Sequence, residues 1–391
     1  MVLVGTGLGL TYLAVRGGAK LGTAAAPFLG RYDFTFAPRS LLAPLVALVA
    51  IIAAWKLLNR LPWWQIVTLS YFTTLAWTYS LALVNGTVGP TWALAGVTDT
   101  ARAGTPPGLT TLIDGMGDLG LTYRAVSMTL TALGTLTVPL VLIAVRGSCG
   151  DAAARALTPL VVLAPYALWM AGSTDGIVAV LGAAGVVLGE RASKHVRTGL
   201  PAVALAMAAG ITIGVAALFS YAVAWLGLSV VCLYFARRRP LLHLASGLGA
   251  LIPVLVAALV GFSWFDGLLA ARHDLTTRIE PHRSVLWWSV LSLVPLLLAA
   301  GPGLIASMRK IRNTPGWPFM MGAAVAVLFS ALTGFAHGGV EHAWVPFFPW
   351  LLTAASAPER PGGEAVRTPL VLTAVGAVSA IVIATILVPS W

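Results

Sequence analysis

The side chains able to do chemistry in this chain are few, and they gather in five short polar strings separated by long apolar runs. Arg31-Tyr32-Asp33-Phe34 holds a single acid, Asp33. The string Thr98-Asp99-Thr100 is followed by Arg102 and then by Gly104-Thr105-Pro106-Pro107-Gly108. Asp175 sits in Gly172-Ser173-Thr174-Asp175-Gly176. Ser263-Trp264-Phe265-Asp266-Gly267 leads into the richest polar stretch, with Arg272, His273, Asp274, Arg278, Glu280, His282 and Arg283. Last comes His337-Gly338-Gly339-Val340-Glu341-His342-Ala343-Trp344. A carboxylate held within reach of a hydroxyl serves as a general base, so Asp99, Glu341 and Asp33 are the candidate catalytic acids, in that order. Arginines clamp phosphate through paired N–H donors, the role open to Arg102, Arg278 and Arg283. Asp175, Asp266, His337 and His342 are candidates for orienting substrate.

Each string also has a plainer reading. Asp33 could be a solvated acid paired with Arg31 or Arg39. Pro106-Pro107 could be an interfacial turn. Asp175 at a helix start could be an N-cap, and the stretch after Asp266 could be a solvated amphipathic helix. The two histidines around Glu341 invite a metal, but Gly338-Gly339 interrupts helix there and no third strong ligand follows. No metal site is therefore assigned, and a divalent cation is the one cofactor left open.

What must position these strings is a membrane-embedded bundle. Hydrophobic residues make up 58% of the 391 residues and charged residues only 9%, with no hydrophilic block long enough for a soluble module. A span takes about 20 apolar residues. On that basis the chain is expected to be an all-α polytopic membrane protein, one transmembrane domain over 1–391 with about 13 helices (range 11–13). The expected spans are 2–16, 40–57, 64–84, 124–145, 155–172, 174–190, 199–217, 219–236, 243–263, 284–307, 318–336, 343–357 and 368–388. Orientation follows from Lys and Arg in the short loops. Lys56, Arg60, Arg146, Arg155, Arg191, Lys194, Arg197, Arg237 to Arg239, Arg309, Lys310, Arg312, Arg360 and Arg367 fall together on one side. That places the N-terminus in the cytoplasm and the C-terminus outside, in a cell membrane. Of the 13 carboxylates, the same parity leaves only Asp151, Glu190, Glu359 and Glu364 inside. Acidic residues barely steer insertion, so an outer surplus of acid marks that side as the place for chemistry and a cavity formed by the outer loops. Trp63, Trp64, Trp350 and Trp391 suit interfacial positions.

The net charge of +11 does not point to nucleic acid, because the cations sit in short clusters between apolar runs. Two cysteines, Cys149 and Cys232, both at expected cytoplasmic ends, give no disulfide framework. No Lys or Arg precedes the first apolar run, so a retained helix is expected there instead of a signal peptide.

Taken in order, these strings resemble the GT-C class of integral-membrane glycosyltransferases, and within it a group of actinobacterial multi-pass proteins. The resemblance rests on Thr105-Pro106-Pro107-Gly108, on Asp175 at an outer hairpin, and on Asp266-Gly267 ahead of Gly301-Pro302. It rests also on Glu341 leading into Trp344-Val345-Pro346-Phe347-Phe348-Pro349-Trp350. It covers most of residues 40–357, with Thr105 where the group carries His and a shorter loop before it. The resemblance implies a polyprenyl-phosphate sugar donor, an acceptor hydroxyl on a glycan, lipid or metabolite, and inversion at the anomeric carbon on the extracytoplasmic side. Surrounding membrane lipids would hold the donor's tail. The rival readings are a lipid or small-solute transporter or flippase, and a non-catalytic scaffold of the same class.

Overall fold

A computed structural model describes residues 2–20, 28–29, 31–34, 37–84, 106–120, 122–195, 198–278, 285–333, 340–358 and 370–388. Among these residues the chain is an all-α bundle, and seven helices are long and apolar enough to cross a membrane. They are Pro38–Leu57, Trp63–Val84, Arg124–Cys149, Asp175–Lys194, Leu200–Ala217, Pro240–Leu259 and Leu286–Ser307, with shorter apolar helices at Tyr221–Ala236, Trp317–Thr333 and Leu370–Ile386. Their outward faces carry bare Leu, Val, Ile and Phe, such as Leu48, Leu244, Leu255 and Leu332, a surface suited to lipid. One contiguous buried cluster runs from Ala14 to Leu387.

For reference, α1 is Val2–Arg16, α2 Leu42–Leu57, α3 Trp63–Val84, α4 Pro107–Asp118, α5 Tyr123–Gly134, α6 Thr137–Cys149, α7 Asp151–Val162 and α8 Ala167–Met170. Next come α9 Asp175–Lys194, α10 Leu200–Ala217, α11 Trp225–Ala236, α12 Pro240–Leu259, α13 Trp264–Arg278, α14 Val285–Leu291 and α15 Leu293–Ser307. The chain closes with α16 Trp317–Thr333, α17 Val340–Ala343, α18 Phe348–Leu351 and α19 Leu370–Ile386.

The described loops fall at two ends of this bundle. At one end β1 (Arg31–Tyr32) pairs antiparallel with β2 (Leu387–Val388). The Gly108 N–H donates to Leu218 O, Trp264 Nε1 donates to Ala217 O, and His342 meets Asp175 at that same end. At the other, Arg155 reaches the carbonyls of Leu58 and Leu61, Arg146 pairs with Asp151, and Arg237 joins Ser148 to Glu190. The acids Asp33, Asp175 and Glu341 thus share one end, opposite the Arg and Lys clusters.

Two of the expected spans are not continuous helices among the described residues. Residues 155–172 break between α7 and α8, because Pro159 and Pro165 each remove a backbone donor. Residues 343–357 are not one continuous α-helix: Pro346 falls between α17 and α18, Pro349 sits in the first turn of α18, and a 3-10 turn follows in the core. Trp350 is accordingly not interfacial. It is 0% exposed and lies against Phe319, with ring centroids 5.4 Å apart. A further break falls inside α15, where Gly301 adopts φ +67° and a Cβ there would press on Pro165 at 3.1 Å. The two broken helices therefore meet.

In lipid the carbonyls freed by such a break must find donors. Trp77, fully buried on α3, supplies one: its Nε1 donates to Ala164 O at 3.2 Å, while Tyr166 Oη donates to Val161 O at 3.1 Å. The break is filled by aromatic side chains. Trp77→Phe should keep most of the volume but leave the Ala164 carbonyl with the Ala167 N–H as its remaining donor, lowering stability by about 1 kcal/mol. A thermal melt of the purified variant in detergent checks this; an unchanged melting temperature would mean the Ala167 N–H alone satisfies that carbonyl.

At the opposite end, the Asp151 carboxylate lies between Arg155 (2.5 Å) and Arg146 (2.8 Å). The Arg155 hydrogen bond, with both arginine charges behind it, holds Asp151 below the usual carboxylate range against the opposing effect of partial burial. A depressed folded pKa contributes stability above the unfolded value, about 3.9, and that contribution disappears as pH falls through the folded value. The group is 42% exposed, so the gain is at most about 1 kcal/mol. Asp151→Asn should melt below wild type at pH 7, and the two curves should converge below pH of about 3.

Candidate functional site

The polar centre at the acid-bearing end is built from the start of α9 and the short α17. Gly172, at φ +68°, turns the chain out of α8, and its N–H donates to Thr131 Oγ1 at 2.8 Å. Ser173 Oγ donates to Asp175 Oδ2 at 2.8 Å and accepts from the Asp175 N–H at 3.1 Å, which fixes the carboxylate's rotamer. Asp175 is the first helical residue of α9 and not its N-cap; that position is Thr174, whose side chain makes no cap bond. Glycine-on-glycine packing sets the height of the turn. A Cβ on Gly134 of α5 would sit 3.0 Å from Gly176 Cα, so α9 crosses α5 as closely as backbones allow.

From α17, His342 brings Nδ1 to 3.6 Å from Asp175 Oδ2, a contact that becomes an ion pair when the imidazole is protonated. Glu341, its neighbour, is 3% exposed. Pro346, which lacks the N–H needed to carry the helix on, stops α17 after one turn, so Glu341 and His342 border an aromatic core of Trp344, Phe347, Phe348 and Trp350.

The first loop reaches the same centre. The β1–β2 pair ties Tyr32 to Leu387, and Tyr32 Oη donates to Phe28 O at 3.3 Å. Its phenol titrates above the ordinary tyrosine range. Loss of water around the hydroxyl is the larger cause, although the residue as a whole is 66% exposed, and the Glu341 charge adds to it. A coulombic effect of that kind places Tyr32 and Glu341 within reach of one another. Asp33 follows Tyr32 directly and is exposed; its N–H donates to Ile386 O.

Of the residues singled out in the sequence, Asp175 and His342 meet, with Glu341 next to His342 on α17 and Asp33 next to Tyr32 at the same end. Asp266 lies at the same end on α13, exposed, with its N–H bonded to Ser263 Oγ; nearby Gly267 packs on Tyr221. Arg278 closes α13. Asp99, Arg102, Arg283 and His337 fall outside the described residues. Helix α4, which follows Asp99 and Arg102 in sequence, starts at Pro107, the residue type preferred in a first turn. Its Leu112 and Met116 pack with Val126, Leu130 and Ile177, the last two residues past Asp175. Among the described residues no group of three His, Cys, Asp or Glu could hold a metal ion. Both cysteines are free.

Sequence reasoning missed Tyr32 and Ser173 as members. Ser173 was legible, since Ser-x-Asp is a self-bonding turn. Tyr32 was not, because its role depends on a contact across the whole length of the chain. Compared with protein-family models, with curated proteins and with solved structures, the chain matches none.

Proposed function

We propose that the chain is an inverting membrane glycosyltransferase, moving a sugar from a polyprenyl-phosphate donor to an acceptor hydroxyl of a glycan, lipid or metabolite on the extracytoplasmic side of a cell membrane. One observation carries this reading: at the acid-bearing end of an apolar bundle the His342 imidazole meets the Asp175 carboxylate, and the buried Glu341 immediately precedes His342 on α17. In the reaction the acceptor oxygen bonds to the anomeric carbon as the bond to the phosphate oxygen breaks, and the phosphate leaves with the electron pair. A carboxylate takes the hydroxyl proton. Glu341 suits that role, with Asp99 and Asp33 as the competing bases. Arg102, Arg278 and Arg283 would stabilise the departing phosphate, and Asp175, Asp266, His337 and His342 would bind sugar hydroxyls. A divalent cation could assist the phosphate.

The test is transfer by purified protein in nanodiscs supplied with radiolabelled polyprenyl-phosphate hexose or pentose and a panel of lipid and glycan acceptors. Label should move to an acceptor with inverted anomeric configuration. Label crossing a proteoliposome membrane chemically unchanged would instead support a transporter, and neither outcome with any donor would support a scaffold.

A further inference from the structure

The largest organised charge cluster lies at the opposite end of the bundle from the proposed transfer site. A cavity of about 590 Å³ there is lined by Trp63, Trp64, Val67, Arg146, Arg191 and Lys194, with Glu190 in its floor. Glu190 is 1% exposed and paired twice: Lys194 Nζ lies 3.1 Å and Arg237 Nη2 3.4 Å from its Oε1. Gly147 makes room for it, since a Cβ there would fall 2.4 Å from Oε1. The carboxylate thus anchors Lys194 at the cavity wall. Arg146 lies 4.6 Å from the centroid of the Trp63 ring and is further held by Asp151. Arg191 stands one turn from Lys194 on the same face and has no ion-pair partner among the described residues.

The charges do not balance. Among the described residues, five cations (Arg146, Arg155, Arg191, Lys194, Arg237) meet two carboxylates (Asp151, Glu190) in this cluster, a surplus of three positive charges, and three of the cations (Arg146, Arg191, Lys194) line the cavity. Clusters of Arg and Lys at span ends are explained by topology when they lie loose on the surface. Here they are built into a concave site by a buried anchor and a stacked ring. One wall, made of Trp64, Val67 and Ile143, is apolar and continues along α3, where Trp64 is 65% exposed. A cationic head site joined to an apolar wall selects an anionic amphiphile.

We propose that this cavity binds the phosphate headgroup of a membrane lipid, with the phosphate between Arg146, Arg191 and Lys194 and the first chain carbons along Trp64 and Val67. This assignment is independent of the sugar-transfer reading, and its test does not measure transfer. Purified protein in detergent is titrated with phosphatidic acid and with phosphatidylcholine of the same chains, with bound lipid counted by native mass spectrometry. Phosphatidic acid should bind at least about tenfold more tightly, and Arg191→Gln should weaken it by about tenfold. Arg191→Lys should restore part of that loss, while Arg60→Gln, a cation at the same end outside the cavity, should leave binding unchanged. Equal binding of the two lipids, or an Arg191→Gln protein that binds like wild type, would overturn the proposal. Displacement of phosphatidic acid by an equal concentration of inorganic phosphate would overturn the lipid assignment and give the site to a soluble phosphate.

Discussion

Glu341→Gln should reduce sugar transfer by about 10²- to 10⁴-fold, the range for removing a general base, while leaving the protein folded. The substitution keeps shape and hydrogen-bonding capacity but cannot accept a proton, so the loss should fall on turnover and hardly on donor binding. Asp175→Asn and His342→Gln should cost less, because they position or bind and do not take the proton. A second readout does not depend on finding the substrate. Glu341 adds to the upward shift of the Tyr32 phenol, so replacing it with a neutral side chain should lower the Tyr32 pKa part of the way toward about 10. The sign is fixed: a nearby negative charge disfavours the phenolate, and its removal favours it. The shift is read by ultraviolet titration of wild type and Glu341→Gln, each against its Tyr32→Phe counterpart. A Tyr32 titration that ignores Glu341 would separate the first loop from α17 and dismantle the site. Full transfer by Glu341→Gln with loss in Asp99→Asn would move the base to Asp99 and keep the reaction class.

Much of the scaffold was legible because a bilayer imposes length. Expected spans 64–84 and 199–217 agree with α3 and α10 to within a residue at each end, since apolar runs opened by Trp63-Trp64 or Gly199-Leu200-Pro201 have few alternatives. The two-ended sorting of loops was legible for a similar reason: Lys and Arg in short loops resist translocation, whatever the helices between them do. The breaks at Pro165 and Gly301 lay outside that logic. Hydropathy sees an unbroken apolar run across 155–172, yet two prolines there remove helix donors, and only tertiary donors such as Trp77 make the result tolerable. The same blindness made Trp350 look interfacial. An indole in a sequence is amphipathic; whether it meets headgroups or Phe319 depends on packing. For the site, the sequence singled out Asp175, His342 and Glu341 separately, but their meeting depends on how α9 and α17 are brought together, which no local pattern encodes.

Arg237→Met should be the most destabilising single change at the cation-rich end, by about 3 kcal/mol. The guanidinium reaches three elements at once. Nη1 donates to Ser193 Oγ at 2.6 Å and Glu190 O at 3.2 Å, and Nη2 donates to Ser148 Oγ at 3.0 Å and Glu190 Oε1 at 3.4 Å. Those bonds close α6, α9 and the end of α11 into one bracket. Methionine would fill much of the space but would strand Glu190, nearly inaccessible to water, with Lys194 and Ser148 alone. Removing one partner of a buried pair is what hurts, because the remaining charge keeps its desolvation penalty. The double variant Arg237→Met with Glu190→Leu should therefore be more stable than the sum of its two single effects, by about 1–3 kcal/mol. Chemical denaturation in a mild detergent measures all four proteins. Simple additivity would show that the two side chains do not interact in the folded protein.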